Sequence, residues 1–181
     1  MAILLAVVLL SPLNQAPGPG VMRFLIYQTL GMPFILFAGW LLAGVEASPG
    51  DLALAVQSAT ILGLGFAFLL AVFPLHTWLP MLAEEGSPYI LGFLFWVLPT
   101  ITIIFGMGFL DRYAWLRTSE QLNQILTLGG LLMVVMGGLS SAFQRHLGRQ
   151  MAYAVIAETG FSLLALSLPS EKAVQSVFLL I

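Results

Sequence analysis

Phe73-Pro74-Leu75-His76-Thr77-Trp78-Leu79-Pro80 places two prolines directly behind the uncharged, mostly apolar run Leu52–Phe73. Each proline removes a backbone donor and clashes with the preceding turn, so a helix long enough to cross a bilayer is predicted to break in this block. His76 and Trp78 sit inside the break, where a ring with one apolar and one polar end is expected at the membrane boundary. His76 titrates near neutrality, which makes it a candidate for passing protons at the mouth of a pathway. An interfacial histidine with no chemical role accounts for the same residue.

Outward from this block the chain stays apolar. Hydrophobic residues make up 60% of its 181 positions, charged residues 8%, and the mean hydropathy is +1.02. A water-soluble domain of this composition would have almost no polar surface, so the chain reads as an all-α integral membrane protein, a single transmembrane domain over residues 1–181. A crossing needs about 20 apolar residues. Spans are predicted at Phe24–Val45, Leu52–Phe73, Tyr89–Leu110, Ile125–Phe143 and Met151–Leu168, with incomplete pieces at Met1–Leu10 and Ala173–Ile181. The two incomplete pieces suggest a fragment of a larger bundle. A cleaved signal peptide is a poor reading of the first residues, because no basic residue precedes Arg23.

Several function classes fall away. The chain has no cysteine, so it holds no disulfide, thiolate iron–sulfur site or cysteine nucleophile. A net charge of −2 with six basic residues provides no electropositive surface for nucleic acid. His76 and His146 lie in loops rather than at matched depth, which disfavours a two-histidine haem site. Because successive loops alternate sides, Arg23, Arg145 and Arg149 are expected on one face and Arg112, Arg117 and Lys172 on the other. That tie leaves the orientation open.

Inside the spans, Gln57, Ser58 and Thr60 with Gly63 and Gly65 precede the proline block. They suit either a polar site or ordinary helix packing. Pro99 is expected to kink its span, with Thr100 and Thr102 available to re-satisfy the freed carbonyls. Gly129, Gly130, Gly137 and Gly138, with Ser141 four residues beyond Gly137, mark a packing helix. Glu158 is a sharper signal, since at about 1.5 Å per residue it lies roughly 10 Å beyond Met151. A carboxylate at that depth is costly unless protonated, paired or wetted, so it is a candidate buried proton station. Ala154, Val155, Phe161 and Ser162 are its expected neighbours, with Ser162 the one donor among them. A neutral carboxyl hydrogen-bonded at a helix interface is the alternative.

Gly65-Phe66-Ala67-Phe68-Leu69-Leu70-Ala71-Val72 leading into the proline block, followed by Glu85-Gly86-Ser87-Pro88, resembles the antiporter-like, proton-translocating membrane subunits of NADH:quinone oxidoreductase (complex I). Arg149-Gln150-Met151-Ala152-Tyr153-Ala154-Val155-Ile156-Ala157-Glu158-Thr159-Gly160-Phe161 is similar to a later helix of that family, and Arg23-Phe24-Leu25-Ile26-Tyr27 to the start of an earlier one. The resemblance implies a discontinuous helix at Pro74–Pro80 within an inverted-repeat bundle of about fourteen helices, with ion sites near the midplane. It turns Arg23, Arg145 and Arg149 toward the cytoplasm. It also implies other membrane subunits as partners, quinone only in those partners, no cofactor or metal in this chain, and residence in a prokaryotic inner (cell) membrane.

Departures from the family pattern bear on activity. Leu69 stands where the family carries its relay lysine, while the small residue usual two positions later is kept as Ala71. Leu94 to Thr100 has no ionisable side chain where the next helix usually has one, and Met1–Leu10 lacks the usual acid. Proton translocation in this half is therefore expected to be lost, leaving Glu158 and His76 as the remaining candidates for conduction. Three alternatives stay open: a multisubunit cation/proton antiporter or membrane-bound hydrogenase subunit, a secondary transporter of a small neutral solute using Gln57, Ser58 and Thr60, and an inactive gene fragment.

Overall fold

A computed structural model describes residues 17–48 and 50–168. The expected partial spans Met1–Leu10 and Ala173–Ile181 lie outside them. The described chain is helical throughout, in the order α1 (Pro19–Ala47), α2 (Leu52–Leu69), a 3-10 turn (Leu75–Thr77), α3 (Trp78–Glu85), α4 (Pro88–Arg112), α5 (Ala114–Thr118), α6 (Glu120–Phe143) and α7 (Leu147–Leu166). Among the described residues, four helices are long and apolar enough to cross a membrane: α1, α2, α4 and the Leu122–Phe143 part of α6. Arg149, Gln150 and Glu158 make α7, the fifth expected span, more polar than these.

Local chemistry fixes the helix starts, and those of α1, α6 and α7 fall four or five residues earlier than apolarity alone predicts. Pro19 occupies the first turn of α1, where its fixed φ suits a helix and its missing N–H costs nothing. Asp51 caps α2 by accepting from the Leu54 amide at 3.1 Å, and Ser119 caps α6 through the Leu122 amide at 3.4 Å. Glu120 adds favourable charge in the first turn of α6. Pro33 and Pro99 are carried inside continuous helices. The Thr102 hydroxyl donates to the Leu98 carbonyl at 2.7 Å, so it does not serve the Phe95 carbonyl that Pro99 leaves without its amide.

Two antiparallel seams organise the bundle. α1 runs the length of α2 and α3 together. Gly44 meets Leu54, Gly65 meets Ile35, Gly31 meets Leu69, and Gly20 meets the Met81–Leu82 backbone. On the other side α6 and α7 touch at Gly130 with Gly160 and at Gly137 with Tyr153 and Ala157. Gly148 at the start of α7 abuts the Ala83 carbonyl and so joins the two pairs. One buried cluster, including Phe24, Trp78, Leu82, Ala152 and Ile156, fills the space around the break. A second, of Ala38, Leu42, Leu62, Leu110, Tyr113 and Leu116, fills the far end.

Candidate functional site

α2 stops at Leu69, four residues before the run ends at Phe73. Ala71 adopts φ 54°, the left-handed conformation that ends many helices and favours glycine. The Val72 amide donates back to the Ala67 carbonyl at 3.0 Å, the closing bond of a Schellman cap. A turn closed by the Leu75 amide on the Val72 carbonyl at 2.7 Å contains Pro74, preceded by a cis peptide bond. Pro74 thus lies in the break itself. Pro80 instead sits in the first turn of α3, a position that tolerates proline.

The broken end is clamped by side chains the sequence pattern did not single out. Gln28 of α1 is 3% exposed, and its Nε2 donates to the Leu69 carbonyl at 3.2 Å, filling an acceptor that the interrupted helix leaves open. Glu85, at the last residue of α3, takes the Gly20 amide at 2.7 Å and the Val21 amide at 3.0 Å, capping α1 from a different helix. Beside it, Glu84 pairs with Arg149 of α7. A polar residue in an apolar run and an acid before Gly86-Ser87-Pro88 were the available signals; neither names its partner.

These contacts set the level of the break along α1. Leu69 is level with Gln28–Gly31 of α1, past Arg23 and about 9 Å inside the apolar stretch that begins at Phe24. α2 and α3 therefore lie end to end along α1, with the Trp78 ring of α3 against the Phe24 ring of α1 at 5.3 Å. The His76 ring stacks on Phe73 at 5.3 Å and approaches Tyr153 of α7 at 6.5 Å. Its Nδ1 is buried without a hydrogen-bond partner, as is Nε1 of Trp78. A void of about 10 Å³ between Phe73, His76, Met133, Gly137 and Tyr153 has room for one water.

Glu158 is not brought to this place. Its side chain is exposed on the outward face of α7 with Met151, Ala154 and Phe161, whereas Ile156, Thr159, Gly160 and Ser162 are buried. The expected donor, Ser162, gives its hydroxyl to the Glu158 backbone carbonyl at 3.2 Å rather than to the carboxylate. Nor do Gln57, Ser58 and Thr60 converge. Ser58 and Thr60 bond carbonyls of their own helix, at Ala55 and Val56, and Gln57 is exposed. A cavity of about 420 Å³ between α2, α4, α6 and α7 is lined chiefly by apolar side chains such as Leu62, Phe66, Ile103 and Leu126. Among the described residues, no three His, Asp or Glu side chains gather into a metal-binding group.

Comparison with known proteins fits this geometry. Residues 21–181 match the family described as "NADH:quinone oxidoreductase/Mrp antiporter, TM". The chain is 31% identical to NAD(P)H-quinone oxidoreductase chain 4-3 of a Nostoc species, over 87% of this chain and 30% of that protein. It is 28% identical to NADH-quinone oxidoreductase subunit N of a Sulfurovum species, over 67% of this chain and 24% of that protein. It therefore spans less than a third of the length of these relatives. A chain from the membrane-bound sulfane sulfur reductase, an archaeal respiratory membrane complex, shares the fold with a TM-score of 0.63 at 20% identity, over 98% of this chain and 39% of that one. With the apolar helices, the interrupted crossing and a family match over nearly its full length, the chain belongs to the NADH:quinone oxidoreductase/Mrp antiporter transmembrane family, as an integral membrane protein.

Proposed function

We propose that the chain is part of an antiporter-like membrane subunit in a respiratory complex of the NADH:quinone oxidoreductase type, and that this half of the subunit scaffolds or couples without moving protons. The observation that carries the reading is the occupant of the broken end. Leu69 is an aliphatic residue 6% exposed, and the one polar side chain bonded to its carbonyl, Gln28, is an amide that does not titrate. Moving a proton through hydrocarbon without ionisable or wetted stations costs several kcal/mol. His76 and Glu158 lie on different sides of α7 and do not form a continuous chain of donors.

Partners on this reading are other membrane subunits and the surrounding lipid. Quinone and redox cofactors belong to those partners, and the residence is a prokaryotic cell membrane. A subunit of a multisubunit cation/proton antiporter is the second reading, favoured by the family description that joins both machines. The test is the proton-to-electron ratio of the complex reconstituted in vesicles, with His76→Gln and Glu158→Gln in turn. The ratio is expected to stay unchanged in both. A fall with either variant, at unaltered electron transfer, would place that residue in a working pathway and overturn the loss.

A further inference from the structure

α2 and α4 meet at Phe66, whose ring lies 3.3 Å from where a methyl on Gly106 would stand and 6.0 Å from the rings of Phe105 and Phe109. Around this contact the two helices enclose, with α6 and the end of α7, the apolar cavity of about 420 Å³. Its wall on α2 runs from Val56 to Leu70, about 21 Å at 1.5 Å per residue. Leu110, Ser119 and Leu166, at the end of α4, the start of α6 and the end of α7, line one end of it. Val72 and Gly129 line the other, beside the break. The cavity is therefore a slot set lengthwise along the spans.

Its two ends differ in chemistry. At the Leu110 end, Trp115 packs against the cluster of Leu62, Leu110 and Leu116 together with Leu122 and Leu166. Nε1 of Trp115 and Nε of Arg117 are shielded there and have no hydrogen-bond partner among the described residues. Asp111 takes Nη2 of Arg117 at 2.6 Å and leaves Nε unmet. A shielded donor without an acceptor is costly, so two of them beside one cavity call for an oxygen-bearing group. Both lie in the connection between α4 and α6, where Asp111, Arg112 and Glu120 bring the chain to the membrane boundary.

Size and polarity select the occupant. Water is a poor one, because the hydroxyls of Thr60 and Thr102 on the wall already donate to Val56 and Leu98 of their own helices. A helix of about 10 Å diameter and that length fills roughly 1,600 Å³. The contacts of Phe66 with Gly106, and of Val72 with the Gly129 position at 4.0 Å, leave no passage for such a rod. One hydrocarbon chain is thin enough, and it restores the dispersion contacts that an empty slot forfeits. We propose that the cavity binds one membrane phospholipid, an acyl chain lying between α2, α4 and α6 and the ester and phosphate oxygens taking the N–H groups of Trp115 and Arg117. The guanidinium favours a phosphate over an uncharged head. The site goes beyond the functional reading and does not depend on whether protons move.

The test uses the assembled complex in vesicles of phosphatidylglycerol that carries a diazirine at the end of one acyl chain, with adducts mapped by mass spectrometry. Adducts are expected at Leu62, Phe66 or Leu126, and one phospholipid per copy is expected to stay bound through detergent exchange. Leu126→Trp fills the slot and is expected to abolish both signals. Trp115→Phe combined with Arg117→Lys keeps the ring and the Asp111 pair but removes both N–H groups, so it decides the matter if the filled variant does not assemble. The paired variant is expected to release the lipid roughly tenfold faster. Adducts confined to outward residues such as Leu36, slot adducts that persist in an assembled Leu126→Trp complex, recovery of an isoprenoid-tailed molecule in place of the phospholipid, or unchanged release from the paired variant would overturn the site.

Discussion

The two seams of the bundle solve different problems. Along α6 and α7 both helices are continuous, and contact is made by backbone against backbone, Gly130 on Gly160 and Gly137 on the Tyr153–Ala157 turn. Along α1 one partner is interrupted, and glycines alone do not suffice. Gln28 fills the Leu69 carbonyl, and Glu85 fills two amides at the start of α1. A backbone broken in lipid exposes groups that water cannot reach, so side chains from a neighbouring helix must take them. Gln28 and Glu85 thus stand where backbone hydrogen bonding is interrupted, at the broken end of α2 and the start of α1.

Breaking each seam separates the two solutions. Gly137→Ala sets a methyl 2.7 Å from the Ala157 amide nitrogen, and neither backbone can yield. The purified complex is expected to lose about 3 kcal/mol of stability in a thermal or denaturant melt. Gly138→Ala, which meets nothing within 4 Å, is expected to melt like the parent. Glu85→Ala is expected to cost about 2 kcal/mol in the same melt, with Glu85→Gln recovering part of it by keeping one acceptor. Gln28→Leu preserves apolar volume and removes the clamp, with an expected loss of about 1 kcal/mol. A neutral Gln28→Leu would show that the Leu69 carbonyl finds another donor. The smallest effect has the opposite sign: Ala71→Gly relieves a left-handed alanine and is expected to add about 0.5 kcal/mol.

Composition and the span of apolar runs were enough to assign the solvent and the helices, because transfer into lipid depends on residue type more than on partners. The proline block likewise announced an interruption. Its position was less legible. α2 ends through the left-handed Ala71, a conformation with no unambiguous residue signature, and Pro80 sits in the first turn of a helix where sequence alone suggested a second break. The course of the chain after the break was not legible either: only pairing with the 29-residue α1 shows that α3 continues the line of α2. For Glu158 the helix was legible but not the face it presents. The face a helical residue presents depends on which neighbours pack against α7, and a single polar residue does not fix that rotation.

We propose that the break lies inside the hydrocarbon, α2 and α3 together making one crossing. The chain has no cysteine, so single cysteines carry unique spin labels at Leu52, Phe73 and Tyr89, all exposed to the surroundings of the bundle. Depth is then read from collision with oxygen against a water-soluble nickel complex in vesicles of the assembled complex. The Phe73 label is expected to be deep, with the Leu52 and Tyr89 labels near opposite surfaces. A Phe73 label as shallow as that at Tyr89 would contradict the account, because the proline block would then be a surface turn after a complete span.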